Sequence, residues 1–334
     1  MRAAVLSALL LPGLLHAAAS PAPPPSQGSA APLRLIQTIS LPGVEGRIDH
    51  LALDVRARRL FICALGNGTV EVVDLEKGQR VQSLPGFEEP QGIVFMPTTK
   101  TVVVASGGGQ LSFLEGNPLK VTKAVSLGED ADNVRYDPEH ERLFVGYGGG
   151  ALAEVDALKR ERVGDVPLQA HPESFQRESS GRIFVNEARR ARVAVLDVAK
   201  RAVVARWELG GPSANYAMAL DEGHHRLFVG TRQPARLVVL DTETGRVVAT
   251  LATEGDVDDI FHDAARRRVY VIGGGGSVVV YDQAGPDQYT ERARVRTADG
   301  ARTGLFSPES AQLFVAVPRR ATPVAEIRVF ATAP

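Results

Sequence analysis

The stretch Arg142-Leu143-Phe144-Val145-Gly146 (RLFVG) decides the fold, because it returns unchanged at residues 226–230. Including close variants, seven copies begin at residues 59, 101, 142, 182, 226, 268 and 312. Successive copies are 42, 41, 40, 44, 42 and 44 residues apart. Periods of this length are typical of propellers, solenoids and other repeat architectures.

Each period predicts β-strands and not helices. In the first period, residues 48–53, 60–65, 69–75 and 80–84 predict four short strands separated by turn residues such as Gly66-Asn67-Gly68. No stretch shows the 3.6-residue apolar periodicity of a helical repeat. Four antiparallel strands in about 42 residues make one propeller blade. The predicted fold class is therefore all-β, a seven-bladed β-propeller of four-stranded blades.

The last copy lacks a strand that the N-terminus can supply. After residues 313–317 and 326–330 the sequence stops, whereas residues 33–41 (LRLIQTISL), followed by Pro42-Gly43, match the last strand of the first blade. The propeller is thus predicted over residues 33–331, with residues 33–43 closing the ring against the C-terminal blade. Closure removes an open sheet edge, which would otherwise favour aggregation.

The N-terminus predicts export. Arg2 is followed by an apolar run, and Ala17-Ala18-Ala19 precedes Ser20, the pattern of a cleaved signal peptide over residues 1–19. Residues 20–32 are rich in Pro, Ala and Ser and predict a disordered linker. No cysteine follows the apolar run, so a lipid anchor is not expected. We expect a periplasmic or secreted protein.

Composition limits the class of partner. The chain has 38 Lys and Arg against 39 Asp and Glu, a balance that disfavours coating nucleic acid or an anionic membrane. Cys63 is the only cysteine, and its place in the apolar run 60–64 indicates a small core residue. No later segment is long and apolar enough to span a membrane, and we expect a monomer.

Several motifs resemble a known family. Val-Val-Asp-Leu (72–75), Val-Leu-Asp-Val (195–198) and Val-Leu-Asp-Thr-Glu-Thr-Gly (239–245), together with the Arg-Leu-Phe-Val strands, resemble the YVTN-type repeat of the YncE-like exported β-propellers, which are related in form to WD40 repeats. The resemblance covers residues 33–331. It implies the fold, but these are turn and core residues, so it implies little about activity.

The copies differ most where the innermost strand of each blade begins. Eleven residues before the second residue of each copy stand Asp49, Gln91, Asp132, Pro172, Tyr216, Asp258 and Arg302. Ten residues before it stand His50, Gly92, Asn133, Glu173, Ala217, Asp259 and Thr303. Innermost strands line the central channel, so these differing polar residues predict a site at the channel mouth. The candidate ligand-binding residues are Asp49, His50, Asn133, Glu173, Tyr216, Asp259, Arg302 and Thr303, with Arg232 from a neighbouring loop.

Three interpretations of this site stay open. The mouth binds a small polar ligand, or a protein or peptide, without chemistry. Alternatively, oxygen ligands gather Ca²⁺ or another divalent cation, with the candidates Asp132, Asn133, Glu173, Asp258 and Asp259. Such a cation would support lactonase- or esterase-type hydrolysis, similar to gluconolactonase-type propellers, with His50 or His171 as the proton carrier. In the third interpretation, the polar groups only hydrate a water-filled channel.

Arginine-rich loops add a further expectation. Arginines cluster in the loops 189–192, 232–236 and 319–320, and with Arg47 and Arg302 they predict a basic rim on one sector of the mouth. Such a rim would favour an anionic ligand. Nucleic acid is disfavoured by the balanced charge, but these loops leave it open. The alternative is that the loop arginines are simply solvated.

Overall fold

The structure is a computed structural model that describes residues 31–320 and 322–333. Within them, 28 β-strands form seven antiparallel four-stranded sheets in a ring, which confirms the predicted seven-bladed propeller. The predicted signal peptide, and residues 20–30 of the predicted linker, lie outside the described residues.

The strands follow one another blade by blade after the N-terminal strand β1 (Leu33–Leu41). Blade 1 consists of β2 (Leu51–Asp54), β3 (Arg59–Ala64), β4 (Thr69–Asp74) and β5 (Gln79–Pro85). Blade 2 consists of β6 (Pro90–Met96), β7 (Thr101–Ser106), β8 (Gln110–Glu115) and β9 (Lys120–Ser126). Blade 3 consists of β10 (Ala131–Asp137), β11 (Arg142–Tyr147), β12 (Ala151–Asp156) and β13 (Glu161–Pro167).

The second half of the ring repeats this plan. Blade 4 consists of β14 (Phe175–Arg177), β15 (Arg182–Glu187), β16 (Arg192–Asp197) and β17 (Ala202–Glu208). Blade 5 consists of β18 (Ser213–Asp221), β19 (Arg226–Gln233), β20 (Ala235–Asp241) and β21 (Val247–Ala252). Blade 6 consists of β22 (Val257–Asp263), β23 (Arg268–Gly273), β24 (Ser277–Gly285) and β25 (Gln288–Arg296). Blade 7 consists of β26 (Gly304–Ser307), β27 (Gln312–Val317), β28 (Ala325–Thr332) and β1.

The helices of the described residues are single 3₁₀ turns, at Leu65–Asn67, Ala188–Arg190 and Glu222–His224. The first of these replaces the tight turn predicted at residues 66–68, and Gly68 ends it with a positive φ of 66°. In the described part of the chain, no helix is long and apolar enough to cross a bilayer.

The recurring motif forms the second strand of each blade, which is buried on both faces. In β11, Leu143 and Val145 pack against blade 2, whereas Phe144 between them packs against blade 4. Side chains alternate across a strand, so a continuous apolar run is needed when neighbouring blades cover both faces. In the described residues, one hydrophobic cluster fills each of the seven interfaces between neighbouring blades.

The ring closes as predicted, through β1. This strand pairs antiparallel with β28, and Ile39 lies opposite Ile327. Ile39 and Leu41 are fully buried in the cluster between blades 7 and 1, which also contains Leu60 of β3. The N-terminal strand therefore completes both a sheet and an interface between blades.

The innermost strands are irregular where they begin. Register shifts interrupt the pairing around residues 91–92, 132–133, 216 and 258 in blades 2, 3, 5 and 6. In blade 1, the predicted strand 48–53 is regular only from Leu51, because Asp49 and His50 both bond to Cys63 of β3. The His50 backbone N–H instead donates to the Gln91 carbonyl of blade 2 at 3.3 Å. Bulges of this kind turn side chains away from the regular pleat.

The closing strand gives the first test. Ile39→Ala removes a fully buried side chain and should lower the free energy of unfolding by about 2–5 kcal/mol. The fluorescence of Trp207 in blade 4, the sole tryptophan, reports on unfolding far from the closing strand. Because closure supports the whole ring, the unfolding transition measured by this fluorescence should shift by the same amount as the unfolding transition measured by circular dichroism.

The control is Ile36→Ala in the same strand. The Ile36 side chain is 40% exposed, so its loss should cost within about 0.5 kcal/mol. A Trp207 transition that stays in place while the circular-dichroism signal shifts would show that closure stabilises only the terminal blade.

Candidate functional site

The channel mouth is the end of the central channel where the innermost strands begin. It holds a cavity of about 220 Å³ to which all seven blades contribute. The lining residues are Arg47, Asp49, His50, Gln91, Asp130, Asp132, Asn133, His171, Glu173, Ser174, Arg189, Tyr216, Arg232, Asp258 and Arg302. A pocket of this size and polarity suits a ligand smaller than the usual occupant of sites of about 300–1,000 Å³.

The structure brings most of the predicted residues together here. Of the seven residues that stand eleven positions before the second residue of each copy, only Pro172 does not line the cavity. Of the seven that stand ten positions before it, only His50, Asn133 and Glu173 do. Asp259 lines a second cavity deeper in the channel. Thr303 is 2% exposed and donates a hydrogen bond to the Ile48 carbonyl. The residues eleven positions before the second residue of each copy lie where the innermost strands begin and bulge. This position explains why their side chains reach the mouth.

The arginines of blades 5 and 7 are held by aspartates of blade 6. Arg232 and Arg302 contact Asp258 at 2.7 and 2.9 Å, and both also pair with Asp256. Arg232 additionally lies over the Tyr216 ring, 3.8 Å from its centroid. Burial raises the pKa of Asp258 to about 7, although the two arginines oppose this shift.

A second charged group lies in blades 1 and 6. Arg47 contacts Asp49 at 2.5 Å, and the two ring nitrogens of His50 lie 3.6 Å from Asp49 and Asp259. Burial acts to lower the pKa of His50, but the carboxylates of Asp259 and Asp49 outweigh it and raise the pKa to about 10. His50 therefore carries a proton at neutral pH, which makes it a poor general base.

These pairings change the expectation of a basic rim. Arg47, Arg232 and Arg302 are each neutralised by aspartates of this chain, and Arg319 pairs with Glu45. Around the cavity, Arg189 is the lining arginine for which the described residues provide no carboxylate partner, and it is exposed.

The blade 3 and blade 4 side of the mouth has the opposite character. Here His171 faces the carboxyl groups of Asp130, Asp132 and Glu173, a group we call the acidic corner, and the exposed Arg189 lines the same side of the cavity. The His171 Nδ1 donates to the Gly148 carbonyl at 2.7 Å, which leaves Nε2 facing Asp132 at 3.7 Å. Burial acts to lower the pKa of His171, but Asp132 and the Gly148 carbonyl outweigh it and raise the pKa to about 9.

Two oxygen groups of this corner lack partners in the described residues. Asn133 is 3% exposed, and its Oδ1 accepts no hydrogen bond. The Glu173 carboxyl group makes no hydrogen bond or ion pair with the residues that the structure describes, and burial, followed by repulsion from Asp132, raises its pKa to about 7. Buried polar groups are normally satisfied, so these oxygens on the cavity wall are free to accept hydrogen bonds from a ligand or from water.

The acidic corner could also hold a metal ion. One ligand atom from each of Asp132, His171 and Glu173 lies within 4.8 Å of the others. The predicted ligands Asp258 and Asp259 are not in this group, because arginines hold the first and His50 and the Gly304 N–H hold the second. Sequence analysis did not predict His171 as a ligand, nor Asp130 and Asp256 as parts of the charge network.

Comparison with known proteins supports the fold alone. No protein-family profile matches the chain, and no curated protein sequence does. Among solved structures, a chain of the mitotic checkpoint complex matches with a TM-score of 0.77 and 12% identity, covering 98% of this chain and 100% of its own. Hydrazine synthase of Kuenenia stuttgartiensis matches with a TM-score of 0.75 and 16% identity, covering 92% and 99%. The WD40 repeats of RRP9 match with a TM-score of 0.78 and 10% identity, covering 90% and 100%.

His50 gives a pH-dependent test. Its pKa is raised from 6.5 to about 10 on folding, so its protonated form adds stability that is complete below pH 6.5 and is lost as the pH rises through about 10. At pH 6, the melting temperature of the wild-type chain should therefore be higher than that of His50→Gln. This difference in melting temperature should shrink steadily up to pH 10.

The comparison needs a surface histidine as its control. His140→Gln replaces a side chain that is 59% exposed and should change the melting temperature little. A difference between wild type and His50→Gln that is constant from pH 6 to pH 10 would contradict the assigned charge on His50.

Proposed function

We propose that the chain is an exported binding module that takes a small cationic ligand into its channel mouth. The observation that carries the proposal is the acidic corner, where three carboxyl groups face one histidine beside the unpartnered Asn133 oxygen. The resemblance to YncE-like exported propellers and the N-terminal pattern of residues 1–19 support export.

The distribution of ion pairs favours a cation over an anion. An anion near Arg232 or Arg302 would have to displace Asp258, a carboxylate already in place and in contact with both. A cation at the acidic corner can contact Glu173, whose carboxyl group has no ion pair among the described residues, and it reduces the repulsion between Asp132 and Glu173. Opposite charges within about 4–6 Å stabilise the charged forms of both partners.

The cationic group can belong to a free small molecule or to a lysine side chain of a protein. The fold itself is typical of protein-binding scaffolds. The shared chemistry is an ammonium group that enters a polar cavity of about 220 Å³, and experiment can separate the two sources.

Calorimetric titration with a matched pair of probes tests the charge preference. 1,3-Diaminopropane and malonate have the same three-carbon length and opposite charge, and the titration is run at pH 8 so that Glu173, with a pKa of about 7, is ionised. We expect the diamine to bind more tightly. Glu173→Gln should weaken its binding about ten- to 100-fold, the value of a charge-assisted hydrogen bond.

The control is Glu129→Gln, the same substitution at an exposed residue of the blade 3 rim. Malonate binding more tightly than the diamine, or equal loss in both variants, would overturn the proposal. The tripeptide Ala-Lys-Ala and its Nε-acetylated form separate the sources, because binding of the first alone would indicate a lysine-bearing partner.

The second candidate is cation-assisted hydrolysis of a lactone or ester. The observation that favours it is the group of Asp132, His171 and Glu173, which together with Asn133 offers mixed oxygen and nitrogen donors. Carboxylate and amide oxygens suit Ca²⁺ and Mn²⁺, and an imidazole favours Mn²⁺ or Zn²⁺ over Ca²⁺. The His171 Nδ1 bond to the Gly148 carbonyl orients the ring in the way that metal-binding histidines require.

Metal titration after chelation tests this candidate. Mn²⁺ should bind at one site per chain, and Glu173→Gln should weaken it by at least about tenfold. δ-Valerolactone should be hydrolysed only by the metal-loaded wild type. The control is Glu139→Gln. Glu139 belongs to a second cluster of possible metal ligands, with Asp137 and His140. In that cluster Asp137 is already bound by Arg177 and by backbone N–H groups, so we expect no metal there. If the protein binds the diamine but no metal, the result supports the binding module and excludes this hydrolase.

A further inference from the structure

A second cavity lies deeper in the channel, toward the face opposite the mouth. It has a volume of about 560 Å³, and its lining residues include Pro97, Pro138 and Pro308. These prolines follow the innermost strands β6, β10 and β26. We call this space the lower channel. Of the residues that line it, only His50 also lines the mouth cavity.

The wall of the lower channel is mainly apolar. Leu53, Ile93, Phe95, Met218 and Leu305 line it from blades 1, 2, 5 and 7. Small-molecule sites are typically cavities of about 300–1,000 Å³ with apolar walls and a few polar groups that fix orientation. The lower channel has this size and composition, whereas the mouth cavity is smaller and polar.

The polar groups of the lower channel include His50, Asp259 and Arg135, which are close in space. Asp259 is already engaged, since it lies 3.6 Å from His50 and accepts the Gly304 N–H at 2.8 Å. Burial lowers the pKa of Arg135, although Asp259 and Asp132 oppose this shift, which places its guanidinium near both carboxylates, beneath the mouth.

Arg135 is a guanidinium without an ion pair in the described residues. It donates to the Val134 carbonyl at 2.9 Å and to the Ser174 hydroxyl at 3.4 Å, and it lies 5.4 Å from the centroid of the Phe175 ring. A guanidinium has five N–H donors, so these contacts leave donors for a ligand in the cavity that it lines. Burial of a charge is costly unless the charge is paired.

We propose that the lower channel binds a small amphipathic anion, a carboxylate with an unbranched apolar tail, whose head contacts Arg135. The carboxylate matches the guanidinium in charge and can accept two parallel hydrogen bonds. The tail lies along the apolar wall toward the prolines of the opposite face. This site differs from the mouth in location, polarity and sign of ligand charge, so it goes beyond the proposed function.

Octanoate and 1-octanol are the probes, because they share the tail and differ in the head. Calorimetric titration of the full-length chain should show octanoate binding more tightly than octanol. Arg135→Met keeps the apolar stem and removes the charge, so it should weaken octanoate about ten- to 100-fold and leave octanol unchanged. The control is Arg160→Met, which removes another arginine stacked on a phenyl ring, Phe113, outside the channel.

A second variant keeps the test valid if Arg135→Met does not fold. Leu305→Trp should narrow the lower channel and weaken binding of both probes, while 1,3-diaminopropane still binds at the mouth. Equal affinity for octanoate and octanol, or unchanged octanoate binding in Leu305→Trp, would overturn the proposal. Because the diamine reports on the mouth alone, loss of one activity without the other distinguishes failure here from failure of the proposed function.

Discussion

The whole structure depends on burying the second strand of every blade on both faces. Each of these strands carries apolar residues without alternation, so it is stable only between two neighbouring blades. An open row of blades would leave one such face in water at each end. The ring must therefore close, and β1 meets this need by pairing with β28 and packing against Leu60 of blade 1.

Closure also creates the site. Seven sheets arranged around an axis bring the starts of seven innermost strands together, although the residues there are 40 or more positions apart in sequence. Bulges around residues 91–92, 132–133, 216 and 258 release these positions from the regular pleat. The core of each blade can then stay similar while the channel residues differ. The residues that stabilise the blades are therefore not the residues that line the mouth.

Charge pairing divides the channel into zones of different chemistry. Aspartates of blade 6 neutralise Arg232 and Arg302, so these arginines link blades 5, 6 and 7 at the mouth. The acidic corner keeps surplus carboxyl groups at the mouth, and below it Arg135 carries a positive charge that has no ion pair among the described residues. His50 and Asp259 lie between the two zones, and this layer separates the polar mouth cavity from the mainly apolar lower channel.

The sequence by itself determined the number of blades, the closing strand and the place where the starts of the innermost strands meet. These follow from local rules: a period near 42 residues, apolar runs that require burial on both faces, and a terminal strand that matches a missing one. It also identified most of the mouth, including Asp49, Asp132 and Glu173.

Only the tertiary structure decided which of those charges are available to a ligand. The arginine-rich loops predicted a basic rim, but Arg232 and Arg302 meet aspartates from another blade, and a sequence does not show which distant ion pairs form. The sequence likewise did not show that His171 joins Asp132 and Glu173. Nor did it show that Arg135 lies beneath them without an ion pair to any residue that the structure describes. Ion pairing depends on distances of a few ångströms between separate blades, and the ring fixes those distances.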